Sequence, residues 1–280
     1  MRTRFLVFLA VLVVIGGVGT LLYRGGVGPL PDPEGCTARV GGAVVDLTTE
    51  QARNATLIAA LGVRRGLPAR AVSIAFATAY QESKLRNLHN GDRDSLGLFQ
   101  QRPSQGWGTK SQVQDPYHAT NAFYDALAKI NGFQTMRITE AAQKVQRSGY
   151  PEAYQPHASD ARALASALTG YSPGGRFTCV VHPLSGNRGT AASAITDLGK
   201  GFGSQATRRG ARQDFSVAVG SGRDGNRRGW AVAQYLVAHA GDLKIGSVSF
   251  DGLHWRVGKT SERGWTKVGT TPGRVSVSLG

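Results

Sequence analysis

The chain begins with an unbroken run of apolar residues, 5–22, which follows Arg2 and Arg4 and precedes Arg24. Such a run is long enough to cross a bilayer, and it is longer than the apolar core of a signal peptide. The pattern predicts a single-pass transmembrane anchor within residues 1–24, with a cleaved signal peptide as the alternative. The two leading arginines favour a cytoplasmic N-terminus. The bulk of the chain is therefore expected at the cell membrane, on its extracytoplasmic side.

After a linker rich in glycine and proline, residues 25–36, apolar positions recur at helical spacing. This periodicity predicts helices over residues 49–66, 67–82, 116–130, 139–145 and 159–168. Turn-forming residues between 87 and 101 predict a small β-hairpin. Residues 37–183 are expected to form one mainly α domain with this hairpin as its β element.

A second pattern begins after residue 184, where the composition shifts toward Gly, Ser, Thr and Arg. The shift predicts a linker over residues 184–205. Beyond the linker, the pattern predicts a helix over residues 229–240 and strands over residues 214–219, 245–250, 254–257 and 274–279. Residues 206–280 are therefore expected to form a small α+β domain.

The helix predicted to end near Glu82 is apolar on nearly every face, which indicates that it is buried on all sides. Apolar surroundings disfavour the carboxylate anion, and the negative end of the helix dipole acts in the same direction. Both effects raise the pKa of Glu82. A carboxylic acid that stays protonated near neutral pH can protonate the leaving-group oxygen of a glycoside, so Glu82 is a candidate general acid. A solvated glutamate at a helix end is the alternative.

The pair Glu82-Ser83 is followed by Gly-Leu-Phe-Gln at residues 97–100. This order resembles the motifs of the soluble lytic transglycosylase and goose-type lysozyme superfamily. Over residues 37–183, with GDRDSLGLFQQRPSQGWG and a later YPEAY, it is most similar to the lysozyme-like domain of actinobacterial cell-surface proteins. The resemblance implies a mainly α lysozyme-like fold and an enzyme that cleaves the glycan strands of peptidoglycan.

The same resemblance suggests residues that bind substrate. Ser83 adjoins the acid, and Gln100 matches the position that lines the sugar subsite next to it. Tyr154 matches the Ala-Tyr motif in which a tyrosine hydroxyl contacts the acid or the sugar, although Gln155 and His157 depart from the usual Asn and Gly. Trp107, in a glycine-rich loop, suits stacking on a sugar face. An ordinary strand position for Gln100 and a core position for Trp107 are the alternatives.

The mechanism depends on whether a second carboxylate acts. An inverting hydrolase needs a base about 6.5–9.5 Å from the acid to activate water, and Asp92 and Asp94 are the candidates, with Asp94 preferred. A lytic transglycosylase, by the resemblance, lets the sugar's own hydroxyl attack and forms an anhydro-muramic product. Asp94 can equally stabilise a turn. The sequence leaves these alternatives open.

Two cysteines, Cys36 and Cys179, are the only ones in the 280-residue chain. An extracytoplasmic compartment permits a disulfide between them, and free thiols are poorly protected there. A disulfide is therefore predicted, with two separate buried thiols as the alternative.

The formal net charge is +15, and both predicted domains are basic. Such a charge suits an anionic envelope polymer or a membrane surface. No nucleic-acid motif appears, and an exported chain rarely meets nucleic acid, so none is expected as a partner. The expected partners are peptidoglycan glycan strands and, through the N-terminal helix, the membrane.

The order of segments in residues 206–280 resembles a degenerate form of the zinc LAS-type D-Ala-D-Ala carboxypeptidases. By that resemblance only Asp214 remains of the zinc ligands. Thr207 stands at the position of the first histidine, and Arg274 and Ser276 stand at those of the last two. A catalytic zinc site needs three protein ligands, so neither a metal nor another cofactor is expected.

The sequence predicts one of two functions. The first is a membrane-anchored lytic transglycosylase or muramidase that uses Glu82 as its acid. The alternative is a non-catalytic protein that binds peptidoglycan or acts as a scaffold in the cell envelope. The intact Glu-Ser motif favours the enzyme, and the lost zinc ligands of the second domain favour the scaffold.

Overall fold

The computed structural model describes residues 31–150, 152–203, 206–208, 214–269 and 272–280, with backbone only for 206–208. The predicted membrane anchor lies outside these residues. No helix in the described part of the chain is long and apolar enough to cross a membrane.

A three-stranded antiparallel sheet joins the two ends of the first predicted domain. Its strands are β1 (Gly35–Val40), β2 (Ala43–Leu47) and β3 (Phe177–Val180), in the order β2-β1-β3. Cys36 of β1 faces Cys179 of β3 in register, and the two form a disulfide, which confirms the predicted bond.

Six helices fill the space between β2 and β3. They are α1 (Thr49–Arg64), α2 (Ala69–Ser83), α3 (Lys110–Gln114), α4 (Pro116–Ala128), α5 (Ile138–Gln146) and α6 (Ala158–Leu168). Their starts follow local sequence signals. Thr48 and Gln51 form a capping box at α1, and Asp115 caps α4, whose first residue is Pro116.

A six-stranded antiparallel sheet dominates the C-terminal part. Its strands are β4 (Ala206–Arg208), β5 (Phe215–Ala218), β6 (Ile245–Phe250), β7 (Leu253–Arg256), β8 (Thr266–Lys267) and β9 (Arg274–Leu279), in the order β4-β5-β9-β6-β7-β8. Three helices accompany this sheet, namely α7 (Ala191–Phe202), α8 (Gly222–Ala238) and α9 (Ala240–Leu243).

Two helices differ from the sequence expectation. Helix α7 lies inside the predicted linker, and it buries Ala194, Leu198 and Phe202, whose helical spacing the glycine-rich composition had obscured. Helix α8 begins at Gly222 rather than at residue 229, because its first turns are polar and carry no apolar periodicity.

The two predicted domains pack directly on each other. Helix α8 lies against α1, and the hydroxyl of Tyr117 on α4 is 3.2 Å from that of Tyr235 on α8. The indole of Trp255 on β7 donates to the main-chain oxygen of Cys179 at 3.0 Å. Residues 34–280 form one compact unit, and the predicted boundaries inside it stay predictions.

The described residues therefore have an α+β fold with nine helices and two antiparallel sheets. The mainly α prediction for residues 37–183 fits only in part, because it omits the sheet of β1, β2 and β3. The hairpin of β1 and β2 has a local signal that the prediction missed, the Gly41-Gly42 turn with positive φ at both glycines. The pairing of β1 with β3 joins cysteines 143 residues apart and leaves no local signature.

Candidate functional site

Glu82 lies in the last turn of α2, a helix that is buried along most of its length. The helix ends at Ser83, where Lys84 takes up a left-handed conformation with φ of 56°. Glu82 itself is half-buried. Burial raises the pKa of the Glu82 carboxyl, and the negative end of the helix acts in the same direction. The carboxyl thus has the expected position and electrostatics.

Two polar side chains hold the Glu82 carboxyl. The phenol of Tyr154 donates to Oε1 of Glu82 at 2.9 Å, and the side-chain amide of Gln146, at the end of α5, lies close enough to lower the pKa of this carboxyl. Gln146 and Tyr154 both favour the anion, so they lower the pKa of Glu82 and partly offset its burial. Tyr154 is buried. Its burial and, to a lesser extent, the charge of Glu82 raise the pKa of the phenol, so Tyr154 remains protonated.

The predicted hairpin lies beside the acid as a short irregular ribbon. Its two bridges pair Leu88 with Gly97 and Leu96 with Gln101. The hydroxyl of Ser83 donates to the main-chain oxygen of Leu98 at 2.7 Å.

Helix α5 fixes the next residue of the ribbon, since Nε2 of Gln146 donates to the oxygen of Phe99 at 2.8 Å. Two consecutive carbonyl groups are thus tied to the two helices that carry Ser83 and Gln146. Ser83 is only 3% exposed, and its hydroxyl contacts main-chain oxygens only. These contacts position the ribbon.

Gln100 lies within this ribbon in a left-handed conformation, with φ of 46°. Its Nε2 donates to the oxygen of Gly97 at 3.1 Å, and its Oε1 packs so closely on Gly91 that a Cβ there would lie 1.8 Å away. Gly97 is restricted too, because its φ is 77° and a Cβ would meet the oxygen of Val113 at 2.3 Å. Gln100 is therefore half-buried on a backbone shaped by two glycines.

Asp94 is fully engaged in a turn. Its Oδ1 accepts from Nε of Arg102 at 2.8 Å and from the hydroxyl of Ser104, and its Oδ2 accepts from the amide of Ser104 at 2.8 Å. The Arg102 guanidinium, followed by the Ser104 amide, holds the pKa of Asp94 well below its usual range. These are the contacts of an aspartate that stabilises a turn. Asp92 is exposed, with Arg93 3.9 Å away.

Trp107 lines a cavity of about 480 Å³ next to this site. The cavity lies between the loop of residues 105–107, helix α4 and the end of α5, and Gln146 belongs to its lining. Trp107 is half-buried and packs against the core. Gln146 is thus shared between the cavity that Trp107 lines and the surroundings of Glu82.

The C-terminal positions matched to the zinc family contact neighbouring residues of the six-stranded sheet. Asp214 accepts from the hydroxyl of Ser278 at 2.9 Å, and Arg274 donates to the hydroxyl of Ser216 at 2.7 Å. Ser276 faces Ser216 across β5 and β9, and Thr207 pairs with Ser216 from β4. In the part of the chain that the structure describes, no three His, Cys, Asp or Glu side chains are grouped as metal ligands are.

The sequence had given no sign of Gln146. It ends a helix that is distant in the chain from Glu82, and a glutamine at a helix end has no distinctive spacing. Lys144 and Arg147, which line the cavity beside it, were missed for the same reason. Only an assembled fold shows that α5 ends against α2.

The structure therefore brings Glu82, Tyr154 and Gln146 together beside the hairpin, and it holds Asp94 in a turn of that hairpin through Arg102 and Ser104. The likeness to lysozyme-like domains stays an expectation from the sequence motifs. Comparison of the chain with the models of known protein families and with curated proteins finds no match.

Proposed function

We propose that the protein cleaves the glycan strands of peptidoglycan with Glu82 as its general acid. The observation that carries the proposal is the half-buried carboxyl at the end of α2, whose pKa is raised by burial and which Tyr154 contacts at 2.9 Å. Glu82 protonates the glycosidic oxygen as the bond to the sugar C1 breaks. Tyr154 and Gln146 then stabilise the carboxylate that remains.

We propose the lytic transglycosylase reaction rather than hydrolysis. Both oxygens of Asp94 already accept hydrogen bonds from Arg102 and Ser104, and a carboxylate whose pKa is so far lowered is a weak base. Among the described residues, no carboxylate contributes to the pKa of Glu82. The C6 hydroxyl of the same sugar therefore attacks C1, its proton goes to Glu82, and an anhydro-muramic end forms.

The proposed location is the extracytoplasmic side of the membrane, with residues 1–24 as the anchor. The disulfide between Cys36 and Cys179 supports this location, because such bonds persist in oxidising compartments.

A second candidate function is binding of peptidoglycan without cleavage. The specific observation in its favour is the C-terminal sheet, where Arg274 and Ser276 occupy positions that carry zinc ligands in the resembling enzymes, and where Asp214 is bonded to Ser278. In this alternative the whole chain is a scaffold whose Glu82 cleft holds glycan.

Digestion of purified sacculi by the full-length protein distinguishes the two functions. We expect soluble anhydro-muropeptides from the wild type, and a loss of about 10²–10⁴ in rate for Glu82→Gln, which keeps the shape of the side chain but cannot give up a proton. Glu262→Gln makes the same change at a half-buried site on the C-terminal part and should leave the rate unchanged. Binding of sacculi without release of fragments by the wild type would establish the scaffold.

A further inference from the structure

The cavity beside the acid carries an excess of positive charge. Lys129, Lys144 and Arg147 line it, and their exposed side chains make no hydrogen bond or ion pair with the other described residues. The one carboxylate among the described lining residues, Asp125, is paired with Arg65. Three cations without partners around one cavity attract an anionic ligand.

The cavity lining also includes apolar side chains. Trp107, Ile130 and Val145 contribute to it, together with Ala122 and Ala126 of α4. Such a surface fits a ligand that has short alkyl parts as well as negative charge. A volume of about 480 Å³ accommodates a few amino-acid residues and is within the range of small-ligand sites.

Gln146 connects this cavity to the acid. Its Nε2 donates to the oxygen of Phe99, its amide lies within reach of Glu82, and the same residue lines the cavity. Its Oε1 is buried and has no partner among the described residues. A ligand in the cavity is therefore separated from the Glu82 carboxyl by a single side chain.

Arg147 has a left-handed backbone conformation, as Lys84 and Lys244 do at the ends of α2 and α9. It ends α5 with φ of 52°, in the left-handed region where glycine is favoured. An arginine there carries a conformational cost that glycine avoids. Glycine can therefore replace Arg147 without straining this end of α5.

We propose that this cavity binds the acidic stem peptide attached to the muramic acid of the strand that Glu82 cleaves. This inference rests on the proposed function for the nature of the strand. The stem branches from the sugar whose bond is cut, so a strand seated at Glu82 carries its stem within reach of Gln146. Its carboxylates meet Lys129, Lys144 and Arg147, and its alanine methyl groups meet the apolar lining.

The experiment compares two ligands on the full-length protein bearing Glu82→Gln, so that neither ligand is cut. One is a disaccharide with its stem peptide, and the other is the same molecule with the stem carboxylates converted to amides. Calorimetric titration should show about threefold to tenfold tighter binding of the free carboxylates, the size expected from two or three exposed ion pairs. The preference should shrink as salt screens these pairs.

Arg147→Gly combined with Lys144→Ala should abolish the preference. Glycine suits the left-handed end of α5 and alanine suits its interior, so these changes remove two charges without straining the helix. Arg162→Ala on α6 is the matched control, because Arg162 is exposed, lies outside the cavity lining and makes no hydrogen bond or ion pair in the described structure. It should keep the full preference.

Equal affinity for the two ligands, or a preference that survives in the double variant, would overturn the stem-binding site. The result is independent of turnover. A protein that releases nothing from sacculi, yet prefers the free carboxylates through Lys144 and Arg147, would refute the enzyme and retain the stem site. A protein that cleaves sacculi but binds the two ligands equally would retain the enzyme and refute the stem site.

Discussion

Tyr154 donates a 2.9 Å hydrogen bond to Oε1 of Glu82, although the two residues lie 72 positions apart in the chain. Burial raises the pKa of the phenol, so Tyr154 keeps its proton over the range in which a carboxyl titrates. Its hydrogen bond favours the carboxylate, and burial of Glu82 favours the neutral acid. The balance of these two effects decides the pH at which the acid loses its proton.

Tyr154→Phe should therefore move the alkaline limb of activity to higher pH. The general acid works only while protonated, so activity falls as pH rises through the pKa of Glu82. Removing a hydrogen bond that lowers this pKa raises it further. The measurement is the pH profile of kcat/KM on soluble glycan strands. Tyr171→Phe, at an exposed tyrosine whose ring lies against Arg227, should leave the limb in place. If the alkaline limb of the Tyr154→Phe profile stayed at the wild-type pH, this would contradict the assignment of Glu82 as the general acid.

The position of Glu82 could be predicted because its cause is local. An apolar run of helical length ends at the acid, so the burial and the helix end are both visible in the sequence. The partners of the acid could not be predicted in the same way. Gln146 lies near Glu82 only because α5 packs on α2. Strand β1 pairs with β3, which lies at the other end of the N-terminal half of the chain. Such non-local pairs leave no periodic pattern near either residue.

Glu82→Gln should stabilise the fold at neutral pH while it removes activity. The pKa of Glu82 is raised in the folded state, so the stability that its neutral form contributes is complete below the unfolded pKa and is lost as pH rises through the folded one. A neutral amide avoids that loss. We expect thermal unfolding of the variant to exceed that of the wild type near pH 7 and to coincide with it below about pH 4. A variant less stable than the wild type at both pH values would contradict this account of burial.

Asp94→Asn should leave cleavage almost unchanged and lower stability. The change breaks the ion pair with Arg102 and weakens the contacts with Ser104, but it removes no group from the acid site. The depressed pKa of Asp94 means that its contribution is present above the unfolded pKa and is lost as pH falls through the folded one. The loss of stability should therefore be seen at pH 7 and vanish in strong acid.

Mass spectrometry of the products completes that test. Anhydro-muramic ends, lighter than reducing ends by one water, are expected from both the wild type and Asp94→Asn. Reducing ends, together with a loss of about 10² or more in the rate of Asp94→Asn, would instead make Asp94 the base of a hydrolase.

The sequence could not decide whether Asp94 is a catalytic base or a residue that stabilises a turn. An aspartate close to a catalytic glutamate in the chain fits a base and a turn equally well. The distinction depends on whether Arg102 and Ser104 fold back onto it, as they do here through the one-turn 3-10 helix of Pro103–Gln105. The conformation of such a short loop depends on contacts among a few polar groups, and no periodic sequence pattern predicts it.

Ser83→Ala should destabilise the protein and leave substrate affinity unchanged. The Ser83 hydroxyl bonds the oxygen of Leu98 at 2.7 Å inside the core, so its removal leaves a buried carbonyl without that donor, at a cost of about 1–3 kcal/mol. Ser73→Ala is the matched control on the same helix, because the Ser73 hydroxyl bonds only the oxygen of Ala69, one turn earlier. Urea unfolding should show a clear loss for Ser83→Ala and a much smaller one for Ser73→Ala. If Ser83 instead touches the sugar, KM will rise while the unfolding midpoint stays with that of the control, and its role will be substrate binding after all.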